Sequence, residues 1–509
     1  MFKEGRTGRD YKTYQLVGLL LGPLAFAALY LSPAPAGLSA PGWATAALAV
    51  WMAIWWTTDA LPLFVTALLP LVFFPLLGIA NIGAATAPFA DPVIFLLLGG
   101  FLIGLAVERW DLHRRIAFHI ILRVGNRPLN LLAGVMLSTA AISMWISNTA
   151  TTIMMLPIAI SLIVVVLPPE RTHGRDGTNF AAAMTLGVAY AASIGGMATL
   201  IGSPPNALAA GYLAQTFKVE VSFAEWMAIA FPIAAVMLGL TFLILTRVVF
   251  PFPALAGAEA RSVVDLLQHM GRMTVPEKRV ALLFAVVVAC WIFHPFVGDL
   301  VGFKISDSGI AVAGAIALFV VPADWRSRTF LLDSSTARKT PWDIFILFGG
   351  GLSLAQAMES SGLAVWIGNG LSFLHGMPVI VLVAGVSLLL VFMTELISNT
   401  AATAAFLPIA GSLVIGADAA PMLIGVAVAL AASCGFMLPV GTVPNALVFG
   451  TGLYCTAADG PRGFHVGPAW CSRDHRRHWA CRDISRSVRI PMGTRSGHIQ
   501  ARPFSALIA

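Results

Sequence analysis

Apolar runs of about twenty residues, the length that crosses a bilayer, follow one another along almost the whole chain. They lie near 14–33, 42–57, 61–79, 92–107, 130–168, 180–215, 226–250, 279–297, 305–322, 343–357, 377–416 and 420–453. Only 11% of the 509 residues are charged and 58% are hydrophobic, against roughly 25% charged in soluble domains. Hydrocarbon offers no water to backbone polar groups, so such runs must close their own hydrogen bonds as helices. The pattern predicts an all-α polytopic membrane protein. The first run lacks a cleavage site and is read as a retained helix. The net charge of +7 sits in loops that bound apolar segments, which argues against nucleic-acid binding and fits a cytoplasmic loop bias. Five irregularly spaced cysteines give no disulfide framework.

Two near-copies interrupt this apolar background. Residues 147–157 read Ser-Asn-Thr-Ala-Thr-Thr-Ile-Met-Met-Leu-Pro, and residues 398–408 read Ser-Asn-Thr-Ala-Ala-Thr-Ala-Ala-Phe-Leu-Pro. Burying unpaired polar groups in hydrocarbon is costly, so the clusters require a partner. The copy extends further. Phe95 to Gly100 recurs as Phe345 to Gly350, 250 residues on, and Gly202-Ser-Pro-Pro-Asn-Ala-Leu208 recurs as Gly441-Thr-Val-Pro-Asn-Ala-Leu447, 239 residues on. Charge placement supplies a topology. If each motif stretch enters and leaves on one side, the N-terminus, 108–127, 251–279 and 323–340 lie inside with most of the Lys and Arg. The outside loops 33–41, 80–91 and 358–376 then hold none. Five spans separate the two hairpins, so the second copy is inverted. Two inverted repeats, each with a re-entrant helical hairpin and a broken transmembrane helix, are a transporter signature.

The motif residues suggest how such a site works. Ser, Asn and Thr cap helix starts, so a helix beginning near Ala150 and another started by Ser398-Asn399-Thr400 aim free N–H groups and a positive dipole end at each break. Two facing cradles suit a ligand with two carboxylates or one compact divalent oxyanion. The motifs carry no Arg or Lys, so part of the neutralising charge is assigned to co-bound cations. Ser143 precedes Ser147 by four residues and Thr394 precedes Ser398 by four, which places each pair of hydroxyls on one helical face. With the Asn oxygens and carbonyls freed at the breaks, including those of 202–206 and 441–445, they form all-oxygen cages of the kind hard cations prefer.

Plainer readings stand beside these. Ser, Thr and Asn often only join helices in membranes, a reading that fits one isolated motif better than two beside duplicated breaks. Gly99-Gly100 and Gly349-Gly350 read as close-packing positions. Glu395, an acid within a span, reads either as a proton or cation partner or as a buried structural pair, and Met144 stands at its place in the first copy. Asp59, Asp91 and Glu108 fall at span ends. Trp51, Trp55 and Trp56 read as an interface belt. His113, His119 and His173 are loop or interface residues with no nucleophile nearby, and no phosphate-binding loop signature occurs. An enzyme is not expected.

At these paired motifs the chain resembles the divalent anion:sodium symporter family, carriers of dicarboxylates, citrate and sulfate, over residues 12–453. The resemblance implies an inner-membrane homodimer whose transport part moves like an elevator against a scaffold part. It implies substrate contact by Ser147, Asn148, Thr149, Ser398, Asn399, Thr400 and position 443. It also implies one sodium near Ser143, Ser147, Asn148 and Gly196, and a second near Thr394, Asn399 and Gly441. The expected division is a cytoplasmic N-terminus (1–12), first scaffold helices and an interfacial helix (13–127), first transport elements (128–216), second scaffold helices (226–374), second transport elements (377–453) and an atypical Arg-rich tail (454–509). The implied function is sodium-coupled uptake of a C4-dicarboxylate. Sodium-independent exchange, sulfate or citrate uptake and, from another class, an anion channel are the alternatives. Two features depart from the family. Val443 stands where members often have Pro. Residues 455–509 hold nine Arg, no Lys and three cysteines, with no apolar run long enough for the family's last span. A shifted reading frame is the expectation for that tail, and Cys471, His475, His478 and Cys481 are not read as a zinc site.

Overall fold

A computed structural model describes residues 12–125, 127–167, 175–252, 271–301, 306–370, 377–417, 420–439 and 441–451. The Arg-rich tail and its Cys and His residues lie outside them. The described residues are almost wholly helical. The exception is a two-stranded antiparallel pair, Pro322–Asp324 with Thr329–Phe330, which the hydropathy pattern does not reveal. Helix starts follow local chemistry: Ser39, Asn81, Asp91, Ser222 and Ser306 each accept a backbone N–H of the turn they cap. Among the described residues five helices are long and apolar enough to cross a membrane: Thr13–Leu31, Ile82–Arg109, Asn148–Val166, Arg175–Met197 and Phe223–Val249. Their outer faces stay apolar. Leu20 and Leu24 are 67% and 65% exposed, as a lipid-facing surface requires. The protein is an all-α polytopic membrane protein.

Four interruptions organise the interior. Helices Pro128–Ser143 and Asn148–Val166 pack against each other across one break, and Val379–Thr394 and Asn399–Ala417 do so across another. Helix Arg175–Met197 stops six residues before Pro204–Phe217, and Pro421–Ala432 stops before Val443–Gly450. Pro204 and Pro444 sit in the first turns of the restarted helices, where a missing N–H costs nothing.

Segments assigned to one side of the membrane touch each other. Arg109 pairs with Asp333 at 2.7 Å, Arg115 with Glu277 at 3.3 Å, and Asn179 donates to Pro251 O at 2.7 Å, all on the basic side. On the other side Ser39 donates to Ser361 O at 3.0 Å and Trp366 to Ala36 O at 3.1 Å. Close helix approaches fall at glycines. A methyl group on Gly99 would meet Ala311 C at 2.5 Å, and one on Gly350 would meet Ala67 O at 2.2 Å.

Three expectations change. The run 61–79 is not one regular helix but two, Leu63–Thr66 and Leu69–Leu76, because Pro70 lacks the N–H that would bond the Thr66 carbonyl across the join. The loop 358–376 contains the helix Leu363–Gly370. Trp51, Trp55 and Trp56 are buried rather than belted. Trp51 stacks edge-on to Trp55 at 5.1 Å and packs on Phe26 and Phe73, while Trp56 donates to Leu63 O at 3.1 Å. The rings of Trp51 and Trp55 fill the gap against helix Thr13–Leu31, where Gly22 leaves room.

Gly99→Val should force apart helices 92–109 and 307–320 and cost about 1–3 kcal/mol by overpacking. In detergent the melting temperature should fall by several degrees, while Gly239→Ala, with nothing within 4 Å, should leave it unchanged or higher.

Candidate functional site

The two helix starts at Asn148 and Asn399 meet in one cavity of about 1000 Å³. Ser147, Asn148, Thr149, Ser398, Asn399, Thr400 and Val443 all line it, together with Ser203, Pro204, Pro205, Thr442 and Pro444 from the restarted broken helices. Ser147 caps the first helix, with Ala150 N donating to its Oγ at 3.3 Å, and Thr151 N bonds its carbonyl at 2.9 Å. Ala402 N bonds Ser398 O at 2.8 Å in the second copy. The remaining first-turn N–H groups give each helix start its partial positive charge. Charged side chains on the lining are Lys339, Asp59 and Asp343, so the side chains alone do not neutralise a dianion.

Beside each helix start lies a cluster of closely spaced oxygens. Ser143 Oγ is 2.8 Å from Asn148 Oδ1 and 2.7 Å from Ala192 O. Thr394 Oγ1 is 2.6 Å from Asn399 Oδ1 and 2.8 Å from Ala432 O. One hydroxyl carries one proton, so it serves one acceptor at a time. Gly196 packs so closely that a methyl group there would lie 2.1 Å from Asn148 Oδ1, and one on Gly202 would lie 2.6 Å from Gly196 O and 2.9 Å from Ser143 O. With the Asn148 amide turned end for end, the orientation that satisfies both its ends, Nδ2 donates to Ser143 Oγ at 2.8 Å, Ala192 O at 3.1 Å and Gly202 O at 3.3 Å. Asn148 is thus ringed by acceptors, which a donor or a cation can satisfy.

The broken helices are held by one buried asparagine each. Asn206 Nδ2 donates to Gly196 O, Met197 O and Thr199 O at 2.9, 3.3 and 2.7 Å. Asn445 Nδ2 donates to Gly435 O at 2.9 Å and Leu438 O at 3.1 Å. Both leave Oδ1 buried without a partner. A buried orphan oxygen is costly, and a hard cation would satisfy it. The oxygen chemistry of both clusters fits sodium. Among the described residues no group of three or more His, Cys, Asp or Glu could hold a metal ion, which separates these cages from a transition-metal centre.

Ser147, Asn148, Thr149, Ser398, Asn399, Thr400, Gly441 and Val443 line the cavity, and Ser143, Gly196 and Thr394 lie in the clusters beside it. Sequence reasoning missed the carbonyls of Ala192 and Ala432. It also missed Gly435, although shifting Gly196 by the 239-residue offset leads to it. Ser193 Oγ, buried and unpartnered, is a further polar atom on the cavity wall that no motif marked.

A helical membrane protein with two interrupted helix pairs around one polar cavity has the build of a secondary transporter. The sodium:sulfate symporter transmembrane region matches residues 13–464. The chain is 37% identical over 459 residues to the sodium-dependent dicarboxylate transporter SdcS of Staphylococcus saprophyticus, covering 89% of this chain and 88% of that one. It is 37% identical over 458 residues to SdcS of Staphylococcus aureus strain MRSA252, with the same coverage. The chain belongs to the sodium:sulfate symporter family, a family of transporters and not of enzymes.

Asn206→Ala and Asn445→Ala each leave two or three buried carbonyls without a donor, at about 1–3 kcal/mol per lost partner. Both variants should melt well below the parent chain when followed by intrinsic fluorescence in detergent. A parent-like melting curve for either would show that the amide does not hold its break.

Proposed function

We propose that this protein carries C4-dicarboxylates such as succinate, malate or fumarate into the cell together with sodium. The observation that carries the reading is the pairing of two helix starts on one cavity with an oxygen-rich cluster beside each. The relatives' names, sodium-dependent dicarboxylate transporters, support a dicarboxylate cargo moved with sodium. Sodium enters the clusters first, one ion near Ser143, Ser147, Asn148 and Gly196 and one near Thr394, Asn399 and Gly441. There it neutralises the oxygens and fixes the two helix starts. The dicarboxylate then bridges the starts, one carboxylate at Ser147, Asn148 and Thr149 and the other at Ser398, Asn399 and Thr400, with Val443 against its carbon chain. Charge balance favours this order, because the two bound cations offset a dianion that Lys339, opposed by Asp59 and Asp343, does not.

Movement follows from the same division of parts. The elements of 128–216 and 377–453 form a transport body that carries cargo past a scaffold of 13–127 and 226–374, in a homodimer of the inner membrane. The copies are inverted, so each hairpin opens the site from its own side.

Labelled succinate should enter proteoliposomes under an inward sodium gradient and fail to do so when potassium replaces sodium. Uptake that requires internal succinate and ignores sodium would make the protein an exchanger, and single-channel currents would make it a channel. Asn148→Ala and Asn399→Ala should each lower uptake at least about ten-fold and weaken sodium and succinate dependence together, because the amide belongs to both sites. Unchanged sodium dependence in both variants would break the coupling scheme.

A further inference from the structure

The two cages are braced by different chemistry. Their equivalence is set by hydrogen bonds: Ser143 and Thr394 reach the Asn that starts the next helix, so Met144 corresponds to Glu395. Asn206 and Asn445 each bond a carbonyl seven residues upstream, so Thr199 corresponds to Leu438. In the first copy the polar side chain comes from the broken helix. Thr199 Oγ1 donates to Met144 O and accepts from Gly202 N at 3.0 Å. In the second copy it comes from the hairpin turn. Glu395 Oε1 accepts from Met437 N and Oε2 from Leu438 N, both at 2.7 Å. Each brace ties a helix–helix turn to the loop of a broken helix, but only the second brings a carboxylate.

We propose that Glu395 is the positioning residue of the second cation site, and that its carboxylate makes that site bind sodium more tightly than the neutral first site. The inference rests on the symport reading and deepens it. Glu395 is 3% exposed, and among the described residues no Lys or Arg forms an ion pair with it. Two amide dipoles satisfy hydrogen bonds without cancelling a full charge, and a buried charge requires a counter-charge. The carboxylate borders the cage: a methyl group on Gly441 would lie 2.6 Å from Oε2, and the preceding residue is Thr394. A sodium ion held by Thr394, Asn399 and Gly441 is therefore a nearby counter-charge. In a medium of low effective dielectric constant that attraction favours binding by well over ten-fold. Both amide bonds also hold Met437 and Leu438 in the loop that supplies the Gly441 face, so one side chain sets the charge of the cage and its shape.

The exchange of braces suggests a test that separates the two. Glu395→Met removes both. Combining it with Leu438→Thr rebuilds the neutral brace of the first copy. The full chain is purified in detergent without substrate and its melting temperature is followed while sodium replaces choline at constant ionic strength. The parent chain should be stabilised by sodium with a saturating curve. Glu395→Met should melt lower in choline. The double variant should recover most of that loss, yet require at least ten-fold more sodium for half of its shift. A double variant with the parent's sodium midpoint would overturn the charge role. One that melts as low as Glu395→Met would overturn the brace exchange. A parent chain whose melting ignores sodium would overturn the symport reading itself, and this inference with it.

Discussion

The structure depends on satisfying backbone groups where helices stop inside an apolar body. A break frees N–H and C=O groups that hydrocarbon cannot solvate. Here the burden falls on a few amides. Asn206 and Asn445 gather the carbonyls at the end of each first half-helix, and the hairpin turns are joined to them through Ser143 and Thr394. These polar joints permit four interruptions within a packed interior of small and aliphatic side chains. Without them the carbonyls freed at each broken helix would be buried with no donor.

The same joints are incompletely satisfied, and that links stability to function. The Thr394 hydroxyl, with one proton, faces two oxygens, and Asn206 and Asn445 each keep an orphan Oδ1. A site built only for stability would not leave so many buried acceptors together. In the proposed cycle the missing positive charge arrives with the cargo, so the strength of the fold around the cavity rises as the cations bind. Coupling then needs no long-range signal. Asn148 and Asn399 border both the oxygen clusters and the cavity, and the order in one is felt directly in the other.

Much of this architecture was legible in the chain because membrane burial leaves a strong mark. Apolar run length located the helices, Pro204 and Pro444 marked where two of them restart, and the spacing of Ser143 to Ser147 and Thr394 to Ser398 singled out the hydroxyls. Side-chain patterns were less informative where geometry decides. The indoles of Trp51, Trp55 and Trp56 match an interface belt in sequence, yet all three are buried, and Gly22 makes space for the first two. Glu395 read equally as a ligand or a structural acid. The fold shows it bonded to two successive amides, a place that no spacing rule indicates.

The sequence by itself determined the helical class, the number of interruptions and the duplicated Ser-Asn-Thr and Pro-Asn blocks, because each depends on local properties: hydropathy, helix capping and the missing N–H of proline. Only the tertiary structure decided which carbonyls face each cluster, and that the braces of the two copies run in opposite directions. Every residue has a carbonyl, so Ala192 and Ala432 carry no sign of their role in their side chains. It is the approach of separate helices, allowed by Gly196, Gly202 and Gly441, that turns common backbone atoms into two distinct oxygen cages.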